Sequence, residues 1–136
     1  MEEQKARILV VEDAENHRFM LRNIILEMGC QPVLAESGEQ ALKVFSRCDP
    51  KLVLLDVSMP GMDGLEVCRK MKEDPDMREV PVIFVSGFEY DEEITKVFEV
   101  GGEDYIQKPF IPEVVKARVG VHLKLAEAKG QLFQME

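Results

Sequence analysis

Apolar residues arrive along this chain in short bursts, separated by stretches where they recur every three or four positions. The bursts are ARILVV (6–11), QPVLA (31–35), KLVLLD (51–56), VPVIFVS (80–86) and EDYIQ (103–107). Three of them are nearly unbroken Val, Ile and Leu, as expected of strands buried on both faces. The stretches between them have helical periodicity. Leu21, Ile24, Ile25 and Met28 step by three and four, and Gly29 supplies a stop. Ser37 to Gln40 has the form of a capping box, with Ala41, Leu42 and Phe45 as the buried stripe behind it. Ile94, Val97 and Phe98 repeat the pattern before Gly101 and Gly102, and the acids of YDEEITK suit the positive end of a helix. Five rounds of strand then helix predict an α/β domain: a doubly wound, five-stranded parallel sheet with helices on both faces.

The end of the chain departs from this rhythm. Residues 112–136 are long for a closing helix. Val114, Val121, Leu125, Ala128, Leu132 and Met135 follow a heptad track, with Arg118 at the one spoiled position. The expectation is a domain over 1–123 and a helical extension over 124–136, a coiled-coil stem that dimerises or leads to an output module. A frayed helical end is the plainer alternative. Gly130 weakens the stem by roughly 1 kcal/mol relative to Ala.

Composition narrows the function. At 136 residues the chain is the size of one domain, and its formal charge is -9. A basic face for nucleic acid or anionic lipid is not expected. No apolar run is long enough to span a membrane, and the start, MEEQKARILVVED, lacks the order of a signal peptide. Cys30, Cys48 and Cys68 have no CxxC spacing and read as reduced, at least partly buried thiols of a cytoplasmic protein.

The chemistry lies where the apolar runs stop. In an open α/β sheet, ligands bind outside the carboxyl ends of the strands. The first run delivers Glu12 and Asp13, the third Asp56, the fourth Ser86, and the fifth leads to Lys108 and Pro109. Strands in register would bring these to one edge. Three adjacent carboxylates repel unless a cation joins them. With no His or Cys at these ends, an all-oxygen site for Mg²⁺ is favoured, with Mn²⁺ able to substitute. Such a site is incomplete without a phosphoryl group. Lys108 would balance phosphate charge, Ser86 would donate one hydrogen bond, and Asp56, on the third and central run, would be the nucleophile.

These residues also carry a family resemblance. Glu12-Asp13, Asp56 within LLDVSMPGMDG, Ser86 in VIFVSG, and GGEDYIQKPF with Tyr105 and Lys108 resemble the receiver domain of two-component response regulators, over roughly residues 6 to 123. The resemblance implies a flavodoxin-like sheet of order 2-1-3-4-5. It implies that Asp56 accepts a phosphoryl group from a sensor histidine kinase or phosphotransfer protein. Asp13, Asp56 and the Ser58 backbone carbonyl would hold Mg²⁺ directly, and Glu12 through water. The Lys108–Pro109 bond would be cis. Ser86 would move toward the phosphoryl group, with Gly87 allowing close approach, and Tyr105 would turn inward. The surface of the fourth helix, fifth strand and fifth helix would then change and control an output domain or partner. Ser58 and Phe88 occupy the two positions that tune the lifetime of the phosphoryl group in this family.

Two other functions compete. A Mg²⁺-dependent phosphohydrolase would want a second Asp two residues after the nucleophile, where this chain has Ser58. A binding-only pseudo-receiver would have lost Asp13, Asp56 or Lys108. The expectation is a switch without turnover activity, with no direct nucleic-acid or membrane binding. Pro60-Gly61 fits a type II turn and Asp63, with Glu66, a helix cap, so these are read as structural. His17 and His122 are read as exposed or partly packed, and Met59 and Met62 as gap fillers.

Overall fold

The computed structural model describes residues 5–87 and 91–135. Five strands, β1 (Arg7–Val11), β2 (Gln31–Ala35), β3 (Leu52–Asp56), β4 (Val82–Ser86) and β5 (Asp104–Gln107), alternate with five helices. These are α1 (Glu15–Glu27), α2 (Gly38–Cys48), α3 (Gly64–Glu73), α4 (Asp91–Glu99) and α5 (Pro112–Met135). All neighbouring strands pair in parallel, in the order β2-β1-β3-β4-β5. The fold is therefore the flavodoxin-like one implied by the resemblance, and β3 is its central strand.

The unbroken apolar runs follow from this placement. β3 and β4 are buried at every position, because helices cover both faces. Alternate side chains serve opposite cores. Val53 and Leu55 pack with Ala41 and Phe45 of α2, Val67 and Met71 of α3 and Val97 of α4. Leu52 and Leu54 pack with Leu21 and Ile25 of α1 and Val115 and Val119 of α5. β2 is an edge strand, more exposed than β3, and there Pro32 is tolerated.

Local details refine the sequence expectations. Ser37 caps α2 by accepting from Gln40 N–H at 3.1 Å, but the Gln40 side chain accepts from Glu36 N–H and not from the cap residue. The box is thus closed one residue early. Phe98 was expected on the core stripe of α4; it is 49% exposed, whereas its neighbour Val97 is fully buried. The three thiols are partly or fully buried, as expected. α5 packs on the sheet through Val115 and Val119, then runs on with Val121 and Leu125 about half exposed. Among the described residues, no helix is long and apolar enough to cross a membrane.

Candidate functional site

Parallel register brings the strand ends to one edge of the sheet. Val11 aligns with Leu55, Asp56 with Val85, and Ser86 with Gln107. Glu12, Asp13, Asp56, Ser86 and Lys108 thus meet as the sequence predicted. One oxygen from each of Glu12, Asp13 and Asp56 lies within 4.8 Å of the others. Glu12 is fully buried, Asp56 is 2% exposed, and Asp13 opens to solvent.

The Lys108 ammonium bridges the buried pair. Its Nζ lies 3.2 Å from Glu12 Oε2 and 3.4 Å from Asp56 Oδ2. The backbone fixes the rest: Glu12 Oε1 accepts from Ala14 N–H at 3.1 Å and Asp56 Oδ1 from Ser58 N–H at 3.2 Å. Lys108 N–H donates to the Ser86 carbonyl at 2.7 Å, which ties β5 to the end of β4. The Lys108–Pro109 bond is cis, in agreement with the resemblance.

One ammonium does not neutralise three carboxylates. Burial, and after it the neighbouring charge of Glu12, push the Asp56 carboxyl up to about 7, against the opposing pull of Lys108 and the Ser58 N–H. Glu12 Oε2 is buried without a well-formed hydrogen bond, although it is close to Lys108. These carboxylates therefore fit a hard divalent cation: they are all oxygen, crowded, and short of positive charge.

The loop after β3 is built to present Asp56. Gly61 has φ +76°, as the third residue of a type II turn requires. Asp63 caps α3, accepting from Glu66 N–H at 2.9 Å. Gly64 N–H donates to the Val57 carbonyl at 2.9 Å, so the start of α3 rides directly on the end of β3. A Cβ at Gly64 would press on the Asp56 carbonyl oxygen and come within 2.9 Å of its carbon and 3.0 Å of Val57 Cα. Gly64→Ala is therefore expected to cost about 1–3 kcal/mol by overpacking, read by urea unfolding. It should also slow any chemistry at Asp56.

Other expected residues are placed less decisively. Ser86 is buried beside the pocket. Ser58 is exposed at its rim, and Gly87 faces open space in which a Cβ would meet nothing within 4 Å. Tyr105 packs partly against the β3 core. Phe88 lies outside the described residues. His122 has a partner the sequence did not suggest: its Nε2 lies 3.1 Å from Asp104 Oδ2, while Arg118 pairs with Asp104 Oδ1 at 3.2 Å and donates to the Tyr105 carbonyl. The spoiled heptad position thus serves the fold. His17 meets the Phe110 ring edge-on at 5.6 Å, with Nδ1 3.8 Å from Glu12 Oε1.

Arg18 was missed altogether. It is 9% exposed, and its Nη1 donates to the carbonyls of Glu12 at 2.9 Å and Asp13 at 3.2 Å. A signal existed: positions 18, 21 and 25 share one helical face, so this arginine heads the apolar stripe of α1.

Fold and pocket together define a class, an open parallel α/β domain with a lysine-bridged acidic pocket at the carboxyl edge of its sheet. The profile of the response regulator receiver domain matches residues 8–120. The chain belongs to the response regulator receiver family, whose members serve phosphorylation-dependent signalling. It is 36% identical over 132 residues to the alkaline phosphatase synthesis transcriptional regulatory protein PhoP of Bacillus subtilis, covering 96% of this chain and 53% of that one. The chain thus spans about half the length of that relative. Among solved structures it resembles the receiver domain of a signal transduction histidine kinase from Syntrophus aciditrophicus, at TM-score 0.81 and 34% identity, covering 88% of this chain and 90% of the other. It also resembles NtrX from Brucella abortus, at TM-score 0.90 and 27% identity, covering 98% of this chain and 30% of that one.

Proposed function

We propose that the chain is a cytoplasmic phosphorylation switch in which Asp56 is the phosphoacceptor. The observation that supports this most is the position of Asp56: at the end of the central strand, buried, 3.4 Å from Lys108, and grouped with Glu12 and Asp13. In this reading an Asp56 carboxylate oxygen attacks the phosphorus of a phosphohistidine on a sensor histidine kinase or phosphotransfer protein. The P–O bond forms as the P–N bond breaks, and the leaving imidazole takes up a proton. Asp13, Asp56 and the Ser58 carbonyl would hold Mg²⁺, with Glu12 acting through water. The ion would offset charge on the phosphoryl oxygens. Lys108 would leave Glu12 to pair with those oxygens, and the Ser86 hydroxyl would donate to one of them. Positioning and charge supply the catalysis, and the chain turns over nothing but its own aspartyl phosphate.

The output would be the α4-β5-α5 surface. Ser86 pairs in register with Gln107 of β5, and Tyr105 sits two residues before it. A shift of Ser86 toward a phosphoryl group would therefore be felt on β5. Two preexisting arrangements with populations biased by phosphorylation are enough for a switch. Beyond Leu123, α5 would serve as a stem toward an output module or a second copy. Light scattering with and without phosphodonor tests the stem, and a strict monomer in both states would count against self-association.

The main test is incubation with Mg²⁺ and a small acyl phosphate, read by intact mass. The expected result is a gain of one phosphoryl group that disappears when Mg²⁺ is chelated. No gain from small donors or from any phosphohistidine protein would sink the proposal.

A further inference from the structure

We infer that Arg18 is a positioning residue of the acidic pocket, one that sets the affinity for the divalent cation by fixing the direction of Asp13. This rests on the cation-binding reading above. The N-cap of α1 is Ala14, which offers no side-chain oxygen to cap the helix. The turn carrying the two acids is held instead from behind. One guanidinium nitrogen bridges the consecutive carbonyls of Glu12 and Asp13, and another lies 3.4 Å from Oε1 of Glu36, the residue that follows β2.

The two acids depend on this bridge unequally. The Glu12 carboxylate has holds of its own, from Ala14 N–H and Lys108. Among the described residues, the Asp13 carboxylate accepts no hydrogen bond and forms no ion pair. Its direction is therefore set by the backbone of the turn, and Arg18 is the side chain that holds both carbonyls of that turn. A planar fork reaches two carbonyls and a carboxylate at once; a lysine ammonium would hold them only as a point charge. Glu36 in turn links the guanidinium to the loop between β2 and α2, so this loop braces the turn that carries the two acids.

The test is Mn²⁺ binding without phosphodonor, read from the spin-resonance signal of free Mn²⁺. Loss of an outer partner of a metal ligand should weaken binding in Arg18→Met by about tenfold, with Arg18→Lys intermediate at about threefold. Ile25→Val, on the buried face of the same helix, controls for simple destabilisation and should bind within about twofold of wild type. In phosphorylation assays the half-saturating Mg²⁺ for Arg18→Met should rise by the same factor, while the rate at saturating Mg²⁺ stays near wild type. A folded Arg18→Met that binds Mn²⁺ as tightly as wild type overturns the inference. If Arg18→Met does not fold, Arg18→Lys decides, and wild-type affinity there overturns it equally. Failure of the wild type itself to bind Mn²⁺ overturns the reading of the pocket and this inference with it.

Discussion

Asp56→Asn will end phosphoryl uptake and, at pH 8 without Mg²⁺, will make the protein more stable. The first effect follows because an amide oxygen is a poor nucleophile and Asp56 is the acceptor in this account. The second follows from the environment of Asp56. Its carboxyl titrates at about 7 in the folded protein, against an ordinary value of 3.8. Between those values the folded protein keeps a proton that the unfolded chain has released. Stability therefore falls as pH rises from about 4 to about 7, and the loss is complete above the folded pKa. Asparagine carries no charge and escapes that loss. The gain at pH 8 should be on the order of 2 kcal/mol, or roughly 5–10 °C in melting temperature for a domain of this size. It should shrink as pH falls and vanish below about pH 4, where wild-type Asp56 is neutral in both states. Thermal melts of both proteins from pH 4 to pH 8 check this; a difference independent of pH would contradict it.

Lys108→Met should do the opposite. The ammonium stands between Glu12, fully buried, and Asp56, 2% exposed. Removing it leaves two buried like charges facing each other with no cation. Breaking a buried pair in this way costs about 3–5 kcal/mol. The cost should be greatest above pH 7 and smaller in acid, where Asp56 takes up a proton. Mg²⁺ should stabilise Lys108→Met more than wild type, because a bound cation then supplies the missing charge as well as the mass-action term. Phosphoryl transfer at saturating Mg²⁺ should fall by on the order of a hundredfold or more, since one fixed charge aimed at the developing anion is lost. Urea unfolding at pH 5 and pH 8, with and without Mg²⁺, separates these effects. A variant as stable as wild type at pH 8 would show that Lys108 does not balance the pair.

Much of this molecule could be read before its fold was known, and the parts that could not share a cause. Strands β1, β3 and β4 announce themselves because burial on both faces demands unbroken apolar runs. The pocket was legible because a polar residue at the end of such a run must leave the core at the sheet edge, as Glu12, Asp56 and Ser86 do. Features set by what a side chain meets only in the folded protein were not. Phe98 has the spacing of a core residue, yet Val97 fills that role and Phe98 faces solvent. Gln40 has the identity of a capping-box residue, but its amide finds Glu36 N–H first. Arg118 looked like a flaw in a heptad because Asp104 and the Tyr105 carbonyl, its partners, lie on a strand fourteen and thirteen residues away. Arg18 was hidden for a similar reason: a charged residue on a helix suggests solvent, and only the folded turn shows two carbonyls waiting for it. The order of the strands came from family resemblance, since periodicity alone does not say which strands are neighbours.

The central claim is that one carboxylate among three is the acceptor. Borohydride reduces an acyl phosphate to an alcohol, so a phosphorylated aspartate is converted to homoserine and keeps its place in the sequence. The protein should be phosphorylated with a small donor and Mg²⁺, reduced, digested and sequenced by tandem mass spectrometry. Homoserine is expected at position 56 alone, and none in Asp56→Asn. Homoserine at position 13, or a phosphoryl group that survives reduction elsewhere in the chain, would contradict it.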